Sequence, residues 1–216
     1  MVKTTVLELK MKTVGKVIKY IFYIFVFAVC ALVIFRSCIM FDYYPSQMKS
    51  ILWTDSTRQT YRADPNGFEA YSQVLVFSYD DPDEGNFFAS NQLIIPSAEQ
   101  LQITVRYNDS TLERFADKFE MEIADLSFVY YLSDQDGNHY PLTLSASDRA
   151  FNLYNYERLV FEGIDISKVT NLYLDIYIDG NADLEGKPAA CIPLYDSERS
   201  LKEYKLSGSE ISSAKK

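Results

Sequence analysis

The clearest pattern in the chain is a run of sixteen uncharged apolar residues, Tyr20–Phe35, which contains neither Gly nor Pro. As an α-helix this run is about 24 Å long, slightly less than the ~30 Å hydrocarbon core of a bilayer. Apolar residues continue beyond Arg36, and the aliphatic stems of Lys19 and Arg36 allow both charges to reach the membrane surface. We therefore predict a membrane-spanning helix over residues 17–41, with the lipid bilayer as its partner.

Three other interpretations of the apolar run fit it less well. A cleaved signal peptide has a shorter apolar core that ends at small residues, but here Leu32–Phe35 extends the core past Ala28 and Ala31. The residues before Cys30 and Cys38 do not form a lipoprotein box, because Phe occupies a position that needs a small aliphatic side chain. A buried core helix rarely lacks polar residues for sixteen positions. A retained signal-anchor is favoured.

The charges around the apolar run are uneven, and they predict its orientation. Residues 1–41 carry six basic side chains and one acidic, whereas residues 42–216 carry 15 basic and 29 acidic, a net charge of −14. By the positive-inside rule, residues 1–16 form a short basic cytoplasmic arm and residues 42–216 lie outside the cell membrane, which makes the chain a single-pass membrane protein. So acidic a domain repels phosphate backbones, which excludes nucleic acid as a partner.

Beyond residue 68 the hydrophobic pattern has a period of two, which is typical of strands with one buried face. The alternation is unbroken in Leu101–Tyr107 and in Leu172–Asp179. Turn sequences of the Asp-Gly-Asn type separate the predicted strands. Further strands are predicted at Ser72–Tyr79, Asn86–Ile95, Glu120–Ile123, Leu126–Leu132, Tyr140–Leu144 and Tyr154–Phe161.

Two short helices are predicted, one before this pattern begins and one that interrupts it. The first is predicted over residues 54–63, where Thr54 is a capping residue and Trp53, the only Trp, precedes it as a packing residue. The second begins at Ser110, which has capping-box spacing to Glu113, and it should close one end of the strand stack.

These elements predict an all-β fold, an antiparallel β-sandwich of the Ig-like or jelly-roll-like kind behind the transmembrane helix. Residues 42–50 are expected to form a juxtamembrane linker and residues 51–196 the extracytoplasmic domain. Residues 197–216 are rich in serine and charge, which favours a flexible polar tail.

The search for catalytic residues is mostly negative. His139 is the single histidine, and the chain has no GxSxG, HExxH, CxxC, P-loop or GxGxxG motif. Cys191 has no base nearby in sequence, and the odd number of cysteines excludes a disulfide framework. No catalytic residue and no cofactor is predicted, so an enzyme is disfavoured. The scarcity of cysteine outside the helix favours a bacterial exported domain.

Two acidic loops are candidates for calcium binding, since carboxylate oxygens suit Ca²⁺. Both are also good hairpin turns, and the second departs from the EF-hand pattern at Gly137 and Ser145. The candidate ligands are Asp80, Asp81, Asp83 and Glu84 in the first loop, and Asp134, Asp136 and Asn138 in the second.

A candidate binding surface lies on the polar side of the strand Leu172–Asp179, where Tyr173, Asp175, Tyr177 and Asp179 share one face. Outward Tyr and Asp side chains can stack on sugar rings or accept a protein partner. The competing explanation is that Tyr has a high strand propensity.

The function that these patterns favour is a membrane-anchored extracytoplasmic binding domain for a protein or a cell-envelope glycan. One alternative is a carboxylate-dependent cell-envelope hydrolase or transferase, indicated only by the acidic loops. The other is an accessory subunit of a membrane complex, whose helix would pack through Ala28 and Ala31.

Overall fold

The computed structural model describes residues 2–40, 43–73, 77–81, 85–179 and 187–215. The chain divides into two compact units, Met1–Tyr43 and Tyr44–Lys216. The boundary falls just after the predicted transmembrane helix, so the apolar segment and the β domain are separate parts of the molecule.

The N-terminal unit is one long helix. The α-helix α1 covers Val2–Ile34 and continues as a π-helix over Phe35–Met40. Among the described residues, one helical stretch is long and apolar enough to cross a membrane, namely Val14–Ile34 with a mean hydropathy of 2.6. All of that stretch is exposed within the structure. Its length and composition are consistent with a single membrane span or a signal anchor.

The second unit is mostly β, with four short helices around the strands. Its helices are α2 (Ser46–Lys49), α3 (Asp55–Ala63), α4 (Asp109–Phe119) and α5 (Gly208–Ala214). Its described strands are β1 (Tyr71–Ser72), β2 (Phe77–Asp81), β3 (Gly85–Ile95), β4 (Gln100–Asn108), β5 (Phe128–Asp134), β6 (His139–Ala150), β7 (Tyr154–Glu162), β8 (Asn171–Ile178), β9 (Ala190–Asp196) and β10 (Lys202–Glu203).

These strands form one curled antiparallel sheet that resembles half of a barrel. Nine of them follow the order β10-β1-β3-β4-β7-β6-β5-β8-β9, and β2 pairs with β3 beside this path. The long strand β6 produces the curl, because it pairs with β5 through His139–Pro141 and with β7 through Leu142–Ala150. A register shift between Leu142 and Leu144 marks the change of partner. The prediction of a mostly β, antiparallel fold is confirmed, whereas an Ig-like or jelly-roll-like sandwich is not confirmed.

The concave side of the sheet holds the main hydrophobic cluster, which we call the inner core. It combines aliphatic side chains of β4 and β8 with aromatic side chains of β3, β7 and α4. The predicted alternation is confirmed here, since Leu172, Leu174, Ile176 and Ile178 of β8 all belong to this core. At roughly 25 cal/mol per Å² of buried apolar surface, this cluster is the main source of stability.

The convex side of the sheet is also covered, which the sequence does not predict. Residues 46–63 and 204–214 lie over β3, β4 and β7, and we call these two segments the outer layer. Trp53 packs there with Tyr61 and Phe68 at ring-centroid distances of 5.5 and 5.7 Å. Its predicted packing role is therefore confirmed, as is the capping of α3 by the side chain of Thr54.

Polar side chains of β4 hold the outer layer in place. The Gln102 side-chain amide donates to the Leu52 carbonyl at 2.9 Å and accepts from the Leu52 N–H at 2.8 Å. Gln100 donates to Thr54 Oγ1 at 3.0 Å, and the Thr104 hydroxyl donates to the Met48 carbonyl. These bonds fix residues 48–54 along the strand in the way that a neighbouring strand would be fixed.

Several sequence predictions need correction. Residues 197–216 were expected to be a flexible polar tail, but they contain β10 and α5, and Glu210 and Ala214 are buried. The linker predicted at residues 42–50 includes Met48, which is fully buried. The predicted strand Glu120–Ile123 is wrong, because Glu120 ends α4 with a left-handed backbone (φ 53°).

The second helix is confirmed, although it begins earlier than predicted. The cap is Asn108 rather than Ser110, since the Asn108 side chain accepts from the Thr111 N–H at 3.0 Å. Phe115 is fully buried in the inner core, with Leu112 and Phe119 packed beside it.

Candidate functional site

The predicted binding surface on β8 is largely closed. Asp175 is 6% exposed and Tyr177 is 3% exposed, whereas Tyr173 is half-buried and Asp179 is exposed. The Tyr177 ring packs edge-on against Tyr131 at 5.8 Å, so its faces are not free for stacking. The structure places Tyr173, Asp175 and Tyr177 on one side of β8 and Asp179 in the turn that follows, and they do not form an open aromatic platform.

Cys191 lies across from Asp175 on β9 and shares its surroundings. The Asp175 carboxylate accepts from the Ser133 hydroxyl at 2.5 Å. Burial and the adjacent Asp175 carboxylate raise the pKa of the Cys191 thiol to about 12. A thiol that stays protonated at neutral pH is a poor nucleophile.

His139 lies at the exposed start of β6, with its ring 6.5 Å from that of Tyr131.

The second acidic loop is a closed hairpin turn between β5 and β6. Asp134 accepts from the backbone N–H groups of Asp136 and Asn138, both at 2.9 Å. It also accepts from the Asn138 side-chain amide at 2.8 Å and the Tyr140 hydroxyl at 3.0 Å. These bonds lower the pKa of Asp134 against the opposing effect of burial. They also occupy the oxygens that a calcium ion would need.

The first acidic loop, with Asp80, Asp81, Asp83 and Glu84, lies outside the described residues as far as its side chains are concerned. In the part of the chain that the structure does describe, no group of three or more His, Cys, Asp or Glu side chains is arranged to hold a metal ion.

A cavity beside the inner core is lined by polar and charged side chains. It has a volume of about 260 Å³ and lies beside the hairpin of β6 and β7. Its lining residues are polar or aromatic: Tyr107, Ser147, Asp148, Arg149, Asn155, Tyr156 and Glu157. We call it the Glu157 cavity. It is smaller than the roughly 300–1,000 Å³ typical of drug-sized ligands, and so it suits one ring-sized group.

Glu157 is placed in this cavity by the alternation of β7. It shares a face with Leu159 and Phe161, which are fully buried in the inner core. Its Oε1 accepts from the Tyr107 hydroxyl at 2.6 Å. Burial raises the pKa of Glu157, while the hydrogen bond from Tyr107 opposes the rise. Burial and the nearby Glu157 charge raise the pKa of both tyrosines in turn.

The other carboxylates near the cavity already have partners. Asp109 pairs with Arg149 at 2.5 Å and accepts from the Asn155 side-chain amide at 3.0 Å. Asp148 accepts from the Gln47 side chain at 2.6 Å and from the Arg149 N–H at 2.8 Å. Glu157 and Asp148 are therefore the carboxylates there without a cationic partner among the described residues, and Glu157 is the one whose pKa is raised by burial. The cavity presents hydrogen-bond acceptors and tyrosine hydroxyls, which suits a ligand rich in hydroxyl or amide groups.

Sequence reasoning missed this cavity, although a signal for it was present. In a strand that buries Leu159 and Phe161 on one face, Asn155 and Glu157 are polar residues of the same parity. Polar side chains on the apolar face near a strand end indicate a functional or buried polar site. The contributions of Tyr107 and Ser147 depend on tertiary pairing and could not be seen in the sequence.

Comparisons of the chain with protein-family models, with curated proteins and with solved structures found no match.

Proposed function

We propose that the chain is a membrane-anchored, extracytoplasmic binding domain that takes a hydroxyl-rich group, such as one ring of a cell-envelope glycan, into the Glu157 cavity. The observation that carries this proposal is the half-buried Glu157 carboxylate, which lines an accessible cavity and has no neutralising cation among the described residues. A carboxylate of this kind accepts strong hydrogen bonds from hydroxyl groups.

The membrane part of the proposal is supported by α1. Its uncharged apolar run, Tyr20–Phe35, is followed by the acidic β domain, and five lysines precede the run. The positive-inside rule then gives a cytoplasmic N-terminus. In intact cells, an external protease should digest residues 44–216 and leave an N-terminal epitope protected. Protection of both ends would contradict this orientation.

The lining of the Glu157 cavity favours a binding role over a catalytic role. Glycoside hydrolysis needs two carboxyl groups in complementary roles on either side of the scissile bond. Around this cavity, Arg149 neutralises Asp109, and hydrogen bonds from Gln47 and a backbone N–H satisfy Asp148. Glu157, which accepts a hydrogen bond from Tyr107, then lacks the second carboxyl group in a complementary role that hydrolysis needs, and a single carboxylate suits ligand recognition.

The proposal is tested with the full chain in non-ionic detergent and a panel of hexose and N-acetylhexosamine oligosaccharides. We expect saturable binding that falls at least tenfold in Glu157→Gln, since the acceptor that orients the ligand is lost. A Ser147→Trp substitution, which fills the cavity mouth, should abolish binding. Glu198→Gln, an exposed carboxylate in the turn after β9, serves as the matched control and should bind normally.

Two outcomes would overturn the proposal. One is normal binding by both cavity variants, which would place the ligand elsewhere on the domain. The other is the absence of any saccharide binding, which would remove the proposed ligand class. Release of shortened oligosaccharides by the wild-type chain and not by Glu157→Gln would instead establish the hydrolase alternative.

A further inference from the structure

A larger groove lies in the outer layer, well separated in sequence from the Glu157 cavity. It has a volume of about 660 Å³ and runs between residues 46–58 and the segment 204–213. Three cationic side chains line it, Lys49, Arg58 and Lys205, together with Trp53 and serine residues of α5. We call it the basic groove.

The cations of this groove are poorly neutralised. In the part of the chain that the structure describes, Lys49 and Lys205 have no ion pair, and Arg58 lies 4.0 Å from the fully exposed Asp55. The Arg58 Nε is buried and has no acceptor there, and neither has the Trp53 indole N–H. Residues 42–216 carry nearly two carboxylates for each cation, so three cations with so few partners are unusual for this domain.

One carboxylate also lines the groove, but its hydrogen-bonding capacity is used. Glu210 accepts from the N–H groups of Ile51 at 2.9 Å and Ser207 at 2.7 Å. It also accepts from the hydroxyls of Tyr204 at 2.7 Å and Ser207 at 2.6 Å. The lining therefore keeps a net positive charge and several unused donors, which is the chemistry of an anion site.

We propose that the basic groove binds the phosphate group of an anionic lipid headgroup. The groove begins at Ser46, six residues after Met40, the last residue of the N-terminal helix. Six extended residues span at most about 20 Å, so a membrane-spanning α1 confines Ser46 to the vicinity of the headgroups. This step rests on the proposed membrane anchoring, whereas the donor arrangement of the groove does not.

Trp53 provides a direct readout, because it is the only tryptophan of the chain and lines the groove. The full chain in non-ionic detergent is titrated with dihexanoyl-phosphatidylglycerol while its fluorescence is recorded. We expect a saturable change that weakens as salt is raised, because exposed charges are screened. Dihexanoyl-phosphatidylcholine, whose headgroup is zwitterionic, should bind at least tenfold more weakly.

Substitutions in the groove give the decisive comparison. Lys49→Gln and Lys205→Gln should each weaken phosphatidylglycerol binding about fivefold, the usual effect of one basic residue at an anionic surface. Lys202→Gln, an exposed lysine on β10 outside the lining, is the matched control and should have no effect. The two groove lysines are exposed, so their loss should leave the circular dichroism spectrum unchanged.

Each contrary outcome has a distinct meaning. Equal binding of the two lipids, or no effect of the groove substitutions, would overturn the proposal. Inorganic phosphate that binds as tightly as phosphatidylglycerol would replace the lipid by a free anion and would also overturn it. Loss of the chain from membranes on alkaline extraction would defeat the anchoring alone, since the detergent titration does not depend on it.

Discussion

The two faces of β4 are both buried, but by opposite chemistry. Leu101, Ile103 and Val105 face the inner core, whereas Gln102 and Thr104 lie beneath the outer layer, and all five are at most 1% exposed. The inner face is held by apolar burial, which is strong and non-directional. The outer face is held by hydrogen bonds that specify individual partners. One strand therefore supplies stability from one side and positional specificity from the other.

Two buried arginines show how the outer face tolerates charge. The Arg106 guanidinium lies over the rings of Tyr44, Phe88 and Tyr154 at 4.8–5.3 Å from their centroids. Cation–π contacts of this kind stabilise a cation that has left water. Arg106 thus ties Tyr44, the first residue of the β domain, to two strands of the sheet.

Arg158 is fully buried and is held differently. It donates to the Asn91 carbonyl at 2.5 Å and to Thr104 Oγ1 at 3.1 Å. Asn91 has a left-handed backbone (φ 51°) at the bulge of β3, which lies between Ser90 and Leu93. Burial lowers the pKa of Arg158 to about 9, and the nearby Glu210 carboxylate opposes this shift. The side chain is therefore still charged at neutral pH.

The largest effect is expected on the inner face. Phe161→Ala removes a fully buried ring from the inner core and should lower the free energy of unfolding by about 3–5 kcal/mol. Denaturant unfolding of the full chain in detergent, followed by Trp53 fluorescence, measures the change. A loss below about 1 kcal/mol would mean that the inner core is not the main source of stability.

The next substitution tests the hydrogen-bonded outer face of the sheet and lies on β7, the strand that also carries Phe161. Arg158→Ala leaves the acceptors at Asn91 and Thr104 without their donor and should cost about 2–3 kcal/mol. Arg158→Met keeps most of the volume and removes the desolvated charge, so it should cost less than the alanine variant. The same unfolding assay applies. A methionine variant that is less stable than the alanine variant would contradict this account of the outer face.

The contribution of Glu210 to the outer layer can be tested by the pH dependence of the free energy of unfolding. Its hydrogen bonds lower its pKa despite burial, so its stabilising contribution is present above the unfolded value of about 4.3. The contribution is lost as the pH falls through the lower, folded value. Glu210→Gln should cost about 1–2 kcal/mol at pH 7, and the difference from wild type should shrink as the pH falls from 5 to 3. A difference independent of pH would contradict the assignment.

The smallest effect is expected for Glu157, and its pH dependence should have the opposite sign. Burial raises its pKa, so the native state binds a proton more readily than the unfolded chain. Its destabilising contribution therefore disappears as the pH falls through the raised folded value towards about 4.3. Glu157→Gln should change stability by less than about 1 kcal/mol at pH 7. Titrating both variants over pH 3–8 shows whether the two carboxylates differ in sign.

Local patterns were sufficient for most of the inner core. Strict alternation predicted β4 and β8, and β7 was placed to within one residue, because side chains on one face of a strand are buried together. Strand β9 was missed although Ala190, Ile192 and Leu194 alternate, since Pro193 interrupts the pattern. Proline is accepted there because β9 ends the sheet path as an edge strand.

The outer layer could not be predicted in the same way. A polar residue such as Gln102 looks identical in sequence whether it meets water or a buried backbone. Its partner Leu52 lies 50 residues away along the chain, and no local periodicity of the sequence indicates such a pairing. For the same reason the serine-rich C-terminal segment was expected to be free, although Arg62 donates to the Ala214 carbonyl at 3.1 Å. The basic groove between these segments was equally invisible.

The hydrogen bonds from Gln100, Gln102 and Thr104 of β4 to residues 48–54, which we call the side-chain zipper, have a mechanical consequence. Along the chain from α1, tension reaches the Tyr44–Arg106 contact and then the side-chain bonds of residues 48–54 before it reaches any residue of a strand. The zipper consists of a few side-chain bonds, whereas the sheet beneath it is stabilised by continuous backbone pairing. Under load from the N-terminus, residues 46–54 should therefore detach first, and an optical-tweezers recording should show a short extension step before the sheet ruptures. Residues 46–54 would then detach under a load that the inner core withstands.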